Sequence, residues 1–185
     1  MILQELEGFT YATALDLNMG YYNIRLDPTV SKMCTILFPW GKYSYKRLPM
    51  GFEGSANIFQ AHMMDLMASL KYVQAYMDDL LIITRGILDE HLQKMETVLT
   101  RLCDAGLKVN AAKSLFCAHE IEYLGYILTR EGIKSQPKKV QAILALNPPN
   151  KFKELRHFLE MVQYYWDMWA RRSKVLAYLD FLKPF

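Results

Sequence analysis

The sequence predicts an α+β fold: a split βαβ, antiparallel sheet backed by helices, followed by an all-helical C-terminal part. Three observations point there. Val73-Gln74-Ala75-Tyr76 and Leu80-Leu81-Ile82-Ile83-Thr84 are short apolar runs joined by a tight turn, the signature of a hairpin. Segments on both sides of that hairpin repeat their apolar residues at helical spacing. After Pro137 the helical period takes over throughout.

Taken in order, Tyr11-Ala12-Thr13-Ala14-Leu15-Asp16-Leu17 reads as a first strand, followed by Gly20-Tyr21-Tyr22 and a short run Ile24-Arg25-Leu26. Met33 to Phe38 and Tyr43 to Leu48 read as strands joined by Pro39-Trp40-Gly41-Lys42, a turn signal. Ser55 is placed to cap a helix whose apolar positions are Phe59, Met63, Met67 and Leu70, a stripe that reads as core. A second helix follows the hairpin, with Asp89 as cap, Leu92, Met95, Leu99 and Leu102 inward, and Gly106 as stop. Ile121 to Leu128, with a turn before Gly132, reads as another hairpin. Asn147-Pro148-Pro149-Asn150 then separates two helices. Leu155, Phe158, Leu159 and Val162 form one apolar face, and Trp169, Leu176 and Leu179 begin another. No internal repeat or low-complexity segment is present.

Composition narrows the class. At 185 residues and 52% hydrophobic, the chain is long enough to bury a core in one or two domains. Three irregularly spaced cysteines (Cys34, Cys103, Cys117) exclude a disulfide framework and read as buried thiols in a reducing compartment. Cys117 and His119 have no second pair with which to build a zinc site. No signal peptide and no 18-residue apolar stretch is present, so the expectation is a soluble chain inside the cell, with no membrane partner. The net charge of +3 is unevenly spread: ten basic residues against four acidic from Lys134 onward, twelve against fifteen before it. An acidic part beside a basic part suits a cation site next to a bound polyanion, although solvated helix faces would give the same counts.

Tyr76-Met77-Asp78-Asp79 carries the chemistry. The hairpin raises two adjacent carboxylates at its tip, an unfavourable arrangement unless a cation neutralises them. Carboxylate oxygens are hard ligands suited to Mg²⁺ or Mn²⁺. An Asp-Asp pair alone reads more readily as a solvated turn. Asp16, ending another apolar run, supplies a third carboxylate and shifts the balance.

At this point the chain resembles the reverse transcriptases of gypsy-type LTR retrotransposons. The resemblance rests on Leu15-Asp16-Leu17-Asn18-Met19-Gly20-Tyr21, Leu48-Pro49-Met50-Gly51-Phe52, Phe59-Gln60 and Tyr76-Met77-Asp78-Asp79. It continues through Ala105-Gly106-Leu107-Lys108-Val109-Asn110, Lys113, Glu122-Tyr123-Leu124-Gly125-Tyr126-Ile127 and Glu154-Leu155-Arg156-His157-Phe158-Leu159. These motifs run in family order from about Phe9 to about Tyr178. The resemblance implies a ferredoxin-like polymerase palm over residues 1–134, with a partial fingers hairpin at about 33–48. It implies a helical thumb, expected to be truncated, over 135–185.

The activity implied is RNA-directed DNA synthesis by two-metal nucleotidyl transfer to a primer 3′-hydroxyl, with two Mg²⁺ or Mn²⁺ ions. Its partners are an RNA or DNA template with a DNA primer, and deoxynucleoside triphosphates. By resemblance, Asp16 and Asp78 bridge the metals with the Leu17 carbonyl adding a contact, while Asp79 either coordinates or shapes the hairpin. Tyr21 matches the ring that selects deoxynucleotides, and reads otherwise as a core tyrosine. Met50 and Gly51 match the nucleotide-pocket loop, and Lys113 a lysine near the triphosphate. Tyr76 and Met77, with Leu124 and Gly125 of the primer grip, match primer–template contacts. Lys42, Lys46 and Arg47 read either as template contacts or as a solvated hairpin edge.

Departures accompany the match. Basic finger residues upstream of Asp16 have no counterpart, and fingers and RNase H regions are expected elsewhere in a longer polyprotein. The Pro that usually follows Ser55 is absent, and Glu160, Trp166 and Tyr178 replace the usual Gly, Arg and Pro. The alternative expectation is therefore a silent retroelement remnant that folds and at most binds nucleic acid. The resemblance places the protein in the cytoplasm or a virus-like particle, with the nucleus also open.

Overall fold

The computed structural model describes residues 8–163. They fall into two compact units, one running to Tyr123 and including Leu128–Gly132, the other formed by Leu124–Ile127 and the residues from Ile133.

The first unit is built on strand β1 (Tyr11–Asn18). A single 3₁₀ turn (Gly20–Asn23) leads to helix α1 (Pro28–Met33) and a hairpin of β2 (Thr35–Phe38) and β3 (Gly41–Ser44). Helix α2 (Ser55–Met67) precedes the hairpin of β4 (Val73–Tyr76) and β5 (Asp79–Thr84). Helix α3 (Leu88–Asp104), β6 (Lys108–Val109), β7 (Leu115–Ala118) and β8 (Glu120–Tyr123) follow. The main sheet runs β4-β5-β1-β6, with β7 also pairing β1. The expected split βαβ order is present, and its pairings are antiparallel.

Period two decides what each strand buries. On β1, Leu15 and Leu17 enter the core that Asp16 avoids. Leu80 and Ile82 of β5 join them, and Phe59, Met63, Met67 of α2 and Val98, Leu102 of α3 close over that face. Removing the fully buried Leu80 side chain would cost about 2–5 kcal/mol. The end of α3 is tied to α2 by Arg101, which donates to the Leu66 carbonyl (2.9 Å) and to Ser69 Oγ (2.6 Å).

Several local expectations change. Helix α2 is capped by Gly54 in the left-handed conformation, so Ser55 is its first residue. Helix α3 begins after Ile87, and Asp89 sits in its first turn, where it favours the helix dipole instead of capping. Leu92 is exposed and His91 takes the inward position. Helix α1 was unexpected: Asp27 caps it by accepting from the Thr29 N–H (2.8 Å), with Pro28 as its first residue. Ile24-Arg25-Leu26 forms only an isolated bridge, Arg25 to Arg47. Of the cysteines, Cys34 alone is buried, while Cys103 is exposed. Among the described residues no helix is long and apolar enough to cross a membrane.

Strands β9 (Tyr126–Thr129) and β10 (Gly132–Ser135) lie where the division between the units runs. The second unit contains α4 (Pro137–Leu144) and α5 (Phe152–Gln163), separated by the expected Asn-Pro-Pro-Asn break. Leu155, Phe158, Leu159 and Val162 form the half-buried face of α5. Trp166, Trp169, Leu176, Tyr178 and Leu179 lie outside the described residues.

His91 is fully buried between Thr13 Oγ1 (2.8 Å from Nε2) and Thr84 Oγ1 (2.9 Å from Nδ1). One neutral tautomer satisfies every partner: Nε2–H donates to Thr13, whose hydroxyl donates to Met95 Sδ, and the Thr84 hydroxyl donates to Nδ1. Thr13 Oγ1 also accepts from the Cys117 N–H (3.0 Å), which joins β1 to β7. Burial first, and Lys94 second, hold the imidazole below its ordinary pKa. Protons therefore bind the unfolded state more readily, and stability should fall as pH drops below the ordinary histidine range. Thermal melts from pH 7.5 down to about 5 should show this slope, and His91→Gln should flatten it while lowering stability at neutral pH. An unchanged slope in the variant would remove His91 as its source.

Candidate active site

Three carboxylates gather at one end of the β1–β5 ladder. The register runs from Tyr11↔Thr84 to Asp16↔Asp79, and Asp79 also pairs with Tyr76 across the β4–β5 hairpin. Directly paired antiparallel residues point to the same side, so Asp16 and Asp79 share the face opposite α2 and α3. Asp78 lies in the turn itself, and its carbonyl accepts from the Leu17 N–H (2.9 Å).

The turn is held by groups from outside the ladder. Met77 adopts a left-handed conformation (φ 51°), which costs a non-glycine residue energy. Gln60 of α2 offsets it: Oε1 accepts from the Met77 N–H (2.6 Å), and Nε2 donates to the Ala75 carbonyl (2.9 Å). Asp16 is clamped from the other side. Asn110 N–H donates to its carbonyl (2.8 Å), while Ser114 Oγ accepts from its N–H (3.1 Å) and donates to the Asn110 carbonyl (2.7 Å). Lys113 Nζ stands 4.0 Å from Asp16 Oδ2 with the lysine 69% exposed, an ion pair of small value.

Electrostatics mark the cluster. Desolvation, then Asp16, then Asp79 raise the Asp78 carboxyl above the usual range, and desolvation followed by Asp16 raises Asp79. Asp78 Oδ1 is buried without a hydrogen-bond partner. Tyr123 of β8 is buried, and burial, Asp79 and Tyr76 push its phenol up to about 12. An orphaned buried carboxylate oxygen beside two more carboxylates is a hard-oxygen donor set that fits a divalent cation. Among the described residues, no group of three His, Cys, Asp or Glu side chains is placed so as to hold a metal ion by itself.

The other expected residues are distributed as follows. Leu17 is buried in β1. Tyr21 is only 7% exposed and stacks on Phe59 (centroids 4.5 Å, planes 22° apart), with its phenol raised by burial and by Asp78. Gly20 beside it is required by space. A Cβ there would sit 2.5 Å from Phe59 Cζ and 3.4 Å from Asp78 Oδ1. Met50, Tyr76 and Met77 are exposed, and Gly51 is left-handed (φ 85°). Leu124 and Gly125 (φ 46° and 74°) form a left-handed turn belonging to the second unit. Cys117 and His119 belong to no metal-holding group among the described residues, and His119 Nδ1 lies 2.9 Å from the Thr10 carbonyl.

Sequence reasoning gave no role to Gln60, Ser114 or His91. Only Gln60 left a signal, its place in the Phe59-Gln60 motif of the resemblance.

The family model described as reverse transcriptase (RNA-dependent DNA polymerase) matches residues 1–128. This chain belongs to the reverse transcriptase family. Among curated relatives it is 37% identical over 184 residues to the retrovirus-related Pol polyprotein from transposon opus of Drosophila melanogaster, covering 98% of this chain and 18% of the relative. The Pro-Pol polyprotein of Simian foamy virus type 1 is 30% identical over 183 residues, covering 99% of this chain and 15% of the relative. The chain thus spans less than a fifth of the length of these polyproteins. Among solved structures it resembles the foamy viral protease-reverse transcriptase in complex with double-stranded DNA (TM-score 0.79, 25% identity), covering 85% of this chain and 28% of that one. The same enzyme in complex with RNA/DNA hybrid gives TM-score 0.75 at 26% identity, covering 84% and 21%. The α+β fold is that of a polymerase palm, as expected.

Two tests follow for this reverse transcriptase core. Gly20→Ala should destabilise by about 1–3 kcal/mol through overpacking against the buried Phe59 ring. Phe59→Leu should rescue part of that loss, so denaturant titrations of the double mutant cycle should show a coupling; strict additivity would show that the two do not collide. Asp78→Asn removes a carboxyl whose ionisation the folded state opposes. The folded state binds that proton more tightly than the unfolded state, so the wild type loses stability as pH rises through the two values. In chelator-treated buffer the variant should therefore melt higher at neutral pH, and the difference should vanish in acid. A lower melting temperature at neutral pH would contradict it.

Proposed function

We propose that this chain is the nucleotidyl-transfer portion of an RNA-directed DNA polymerase. Residues 1–134 are its palm with a partial fingers hairpin at about 33–48, and 135–185 its helical thumb. The carrying observation is the pairing of Asp16 with Asp79 in the β1–β5 register beside Asp78 in the β4–β5 turn, Oδ1 of Asp78 being buried without a partner. Membership of the reverse transcriptase family gives that cluster its chemistry.

The reaction joins the primer 3′-oxygen to the α-phosphorus of a deoxynucleoside triphosphate as the bond to pyrophosphate breaks and the hydroxyl proton leaves. Asp16, Asp78 and Asp79, with the Leu17 carbonyl, are the groups that would hold two Mg²⁺ or Mn²⁺ ions. Bound there, the ions supply charge neutralisation, a lowered hydroxyl pKa and a stabilised leaving group. The protein's own part is positioning. Gln60 and the Asn110–Ser114 loop fix the backbone that carries the carboxylates. Tyr21, rigid on Phe59, limits room at the sugar 2′ position. The exposed Met50 and the turn at Gly51 line the nucleotide pocket. Lys113 leaves its weak pairing with Asp16 for the triphosphate. Tyr76 and Met77 in the first unit, and separately Leu124 and Gly125 in the second, take the family's primer and template contacts by resemblance. The nucleic-acid complexes of the solved relatives support a primer–template partner.

Single-nucleotide extension of a DNA primer on an RNA template with Mg²⁺ or Mn²⁺ tests this reading. Asp16→Asn and Asp78→Asn should each lower the rate by about 10²–10³-fold. Mn²⁺ titration calorimetry with primer–template present should show binding to the wild type and none to the double variant. Equal Mn²⁺ binding by both would defeat the assignment.

A further inference from the structure

The end of the β1–β5 ladder remote from the carboxylates borders a cavity of about 360 Å³. Its apolar walls are Phe9, which is buried, and the half-buried Tyr72 and Ile83. Lys71, Arg85 and Lys94 bring three cationic side chains to the same space, and among the described residues no acidic side chain lines it. Like charges gathered around one cavity are unfavourable, as the three carboxylates are, and an anion relieves them. Lys94 holds its ammonium 5.4 Å from the centroid of the Tyr72 ring, so a cation and an aromatic face meet in the wall. Backbone hydrogen bonds fix this end: Thr10 N–H donates to the Thr84 carbonyl (2.7 Å), and Ile83 N–H to the Tyr72 carbonyl (3.0 Å). The pair Tyr11↔Thr84 lies about 17 Å along the strand from Asp16↔Asp79, at a rise of about 3.4 Å per residue. The cavity is therefore separate from the carboxylate cluster.

We infer that this cavity is a binding site for a small aromatic anion. Its volume falls in the range of small-molecule sites, about 300–1,000 Å³, and it combines apolar walls with a few charged groups as such sites do. A flat apolar body leaves water against Phe9, Tyr72 and Ile83. A phosphate or carboxylate on that body accepts hydrogen bonds from the two ammonium groups and from the planar guanidinium. Neither half suffices alone. A bare anion gives up its hydration for too few contacts, and a neutral ring leaves the cationic groups uncompensated. A polymer is a poorer match, because a nucleic-acid backbone spreads its phosphates along a groove, whereas these cations converge on one cavity. The inference stands apart from the proposed chemistry, because binding here uses neither the carboxylates nor a metal.

Titration calorimetry with 1-naphthyl phosphate as the probe, in chelator-treated buffer, tests it. Inorganic phosphate and 1-naphthol, the two halves of the probe, should each bind at least about tenfold more weakly than the whole. Lys71→Gln and Lys94→Gln should each weaken probe binding about tenfold. Tyr72→Phe, which keeps the ring, should stay within about twofold of wild type. Lys138→Gln, at an exposed position of α4 outside the cavity, should also stay within about twofold. Without probe the lysine variants should melt as the wild type does, which checks that the fold is intact. Saturating probe should raise the melting temperature of the wild type and not that of the Lys71→Gln, Lys94→Gln double variant. Unaltered binding by that double variant would overturn the site. Equal losses in Lys138→Gln and Lys94→Gln would overturn it too, by reducing the effect to general attraction between a basic chain and an anion. Displacement of the probe by a blunt DNA duplex would do the same, by making the cavity part of a nucleic-acid surface. Absence of primer extension with Lys94-dependent probe binding intact would count against the proposed function alone.

Discussion

The register between β1 and β5 is the constraint on which the rest depends. Side chains alternate across a strand, so a slip of one residue would carry Asp16 into the core and Leu15 and Leu17 out of it. Leu15, Leu17, Leu80 and Ile82 are buried on one face under Phe59, Met63 and Val98. Each such side chain contributes roughly 1.5–3 kcal/mol by leaving water. The apolar set therefore fixes the pairing Asp16↔Asp79 with far more energy than the two carboxylates can oppose it with. The position of the acidic groups is a consequence of hydrophobic packing on the other side of the sheet.

That packing works against electrostatics at the end of the ladder. Asp78 and Asp79 both carry raised carboxyls, and desolvation and neighbouring acids are the causes. Local strain adds to this through the left-handed Met77. Hydrogen bonds from elsewhere in the chain hold the frame nonetheless: Gln60 of α2 holds the turn, and Asn110 and Ser114 from the loop after β6 hold Asp16. Fixing like charges together on a rigid frame costs folding energy in the free protein. Binding of a cation only to the folded state returns that energy, which is the usual relation between a preorganised site and stability.

Much of this was legible in the sequence, for identifiable reasons. The β4–β5 hairpin and the β1 run are strongly apolar and short, so their strand assignment needed no tertiary information, and the three carboxylates followed from their places in those runs. Helix α1 was overlooked because its six residues span less than two turns, although Asp27-Pro28 is a cap followed by a first-turn proline. Leu92 was assigned inward over His91 because hydropathy ranks leucine above histidine. The fold reverses them, since Thr13 and Thr84, 78 and 7 residues distant, each satisfy one ring nitrogen. The supports from Gln60 and Ser114 are contacts made only when distant segments meet, and no local pattern encodes them.

The groups surrounding the carboxylates show where their compensation must come from. Tyr21 and Tyr123 both feel the cluster, and in both the phenol is pushed upward, Tyr123 to about 12. They therefore stay protonated and neutral at physiological pH, adding bulk and excluding water without adding charge. Lys113, the cation paired with the cluster, sits at the 4.0 Å limit from Asp16 and is mostly in solvent, where such a pair is worth little. Two neutral phenols and one exposed, weakly paired lysine leave the charge of the carboxylates largely uncompensated. Among the described residues, Asp78 Oδ1 is the buried side-chain atom that this arrangement leaves without a hydrogen-bond partner.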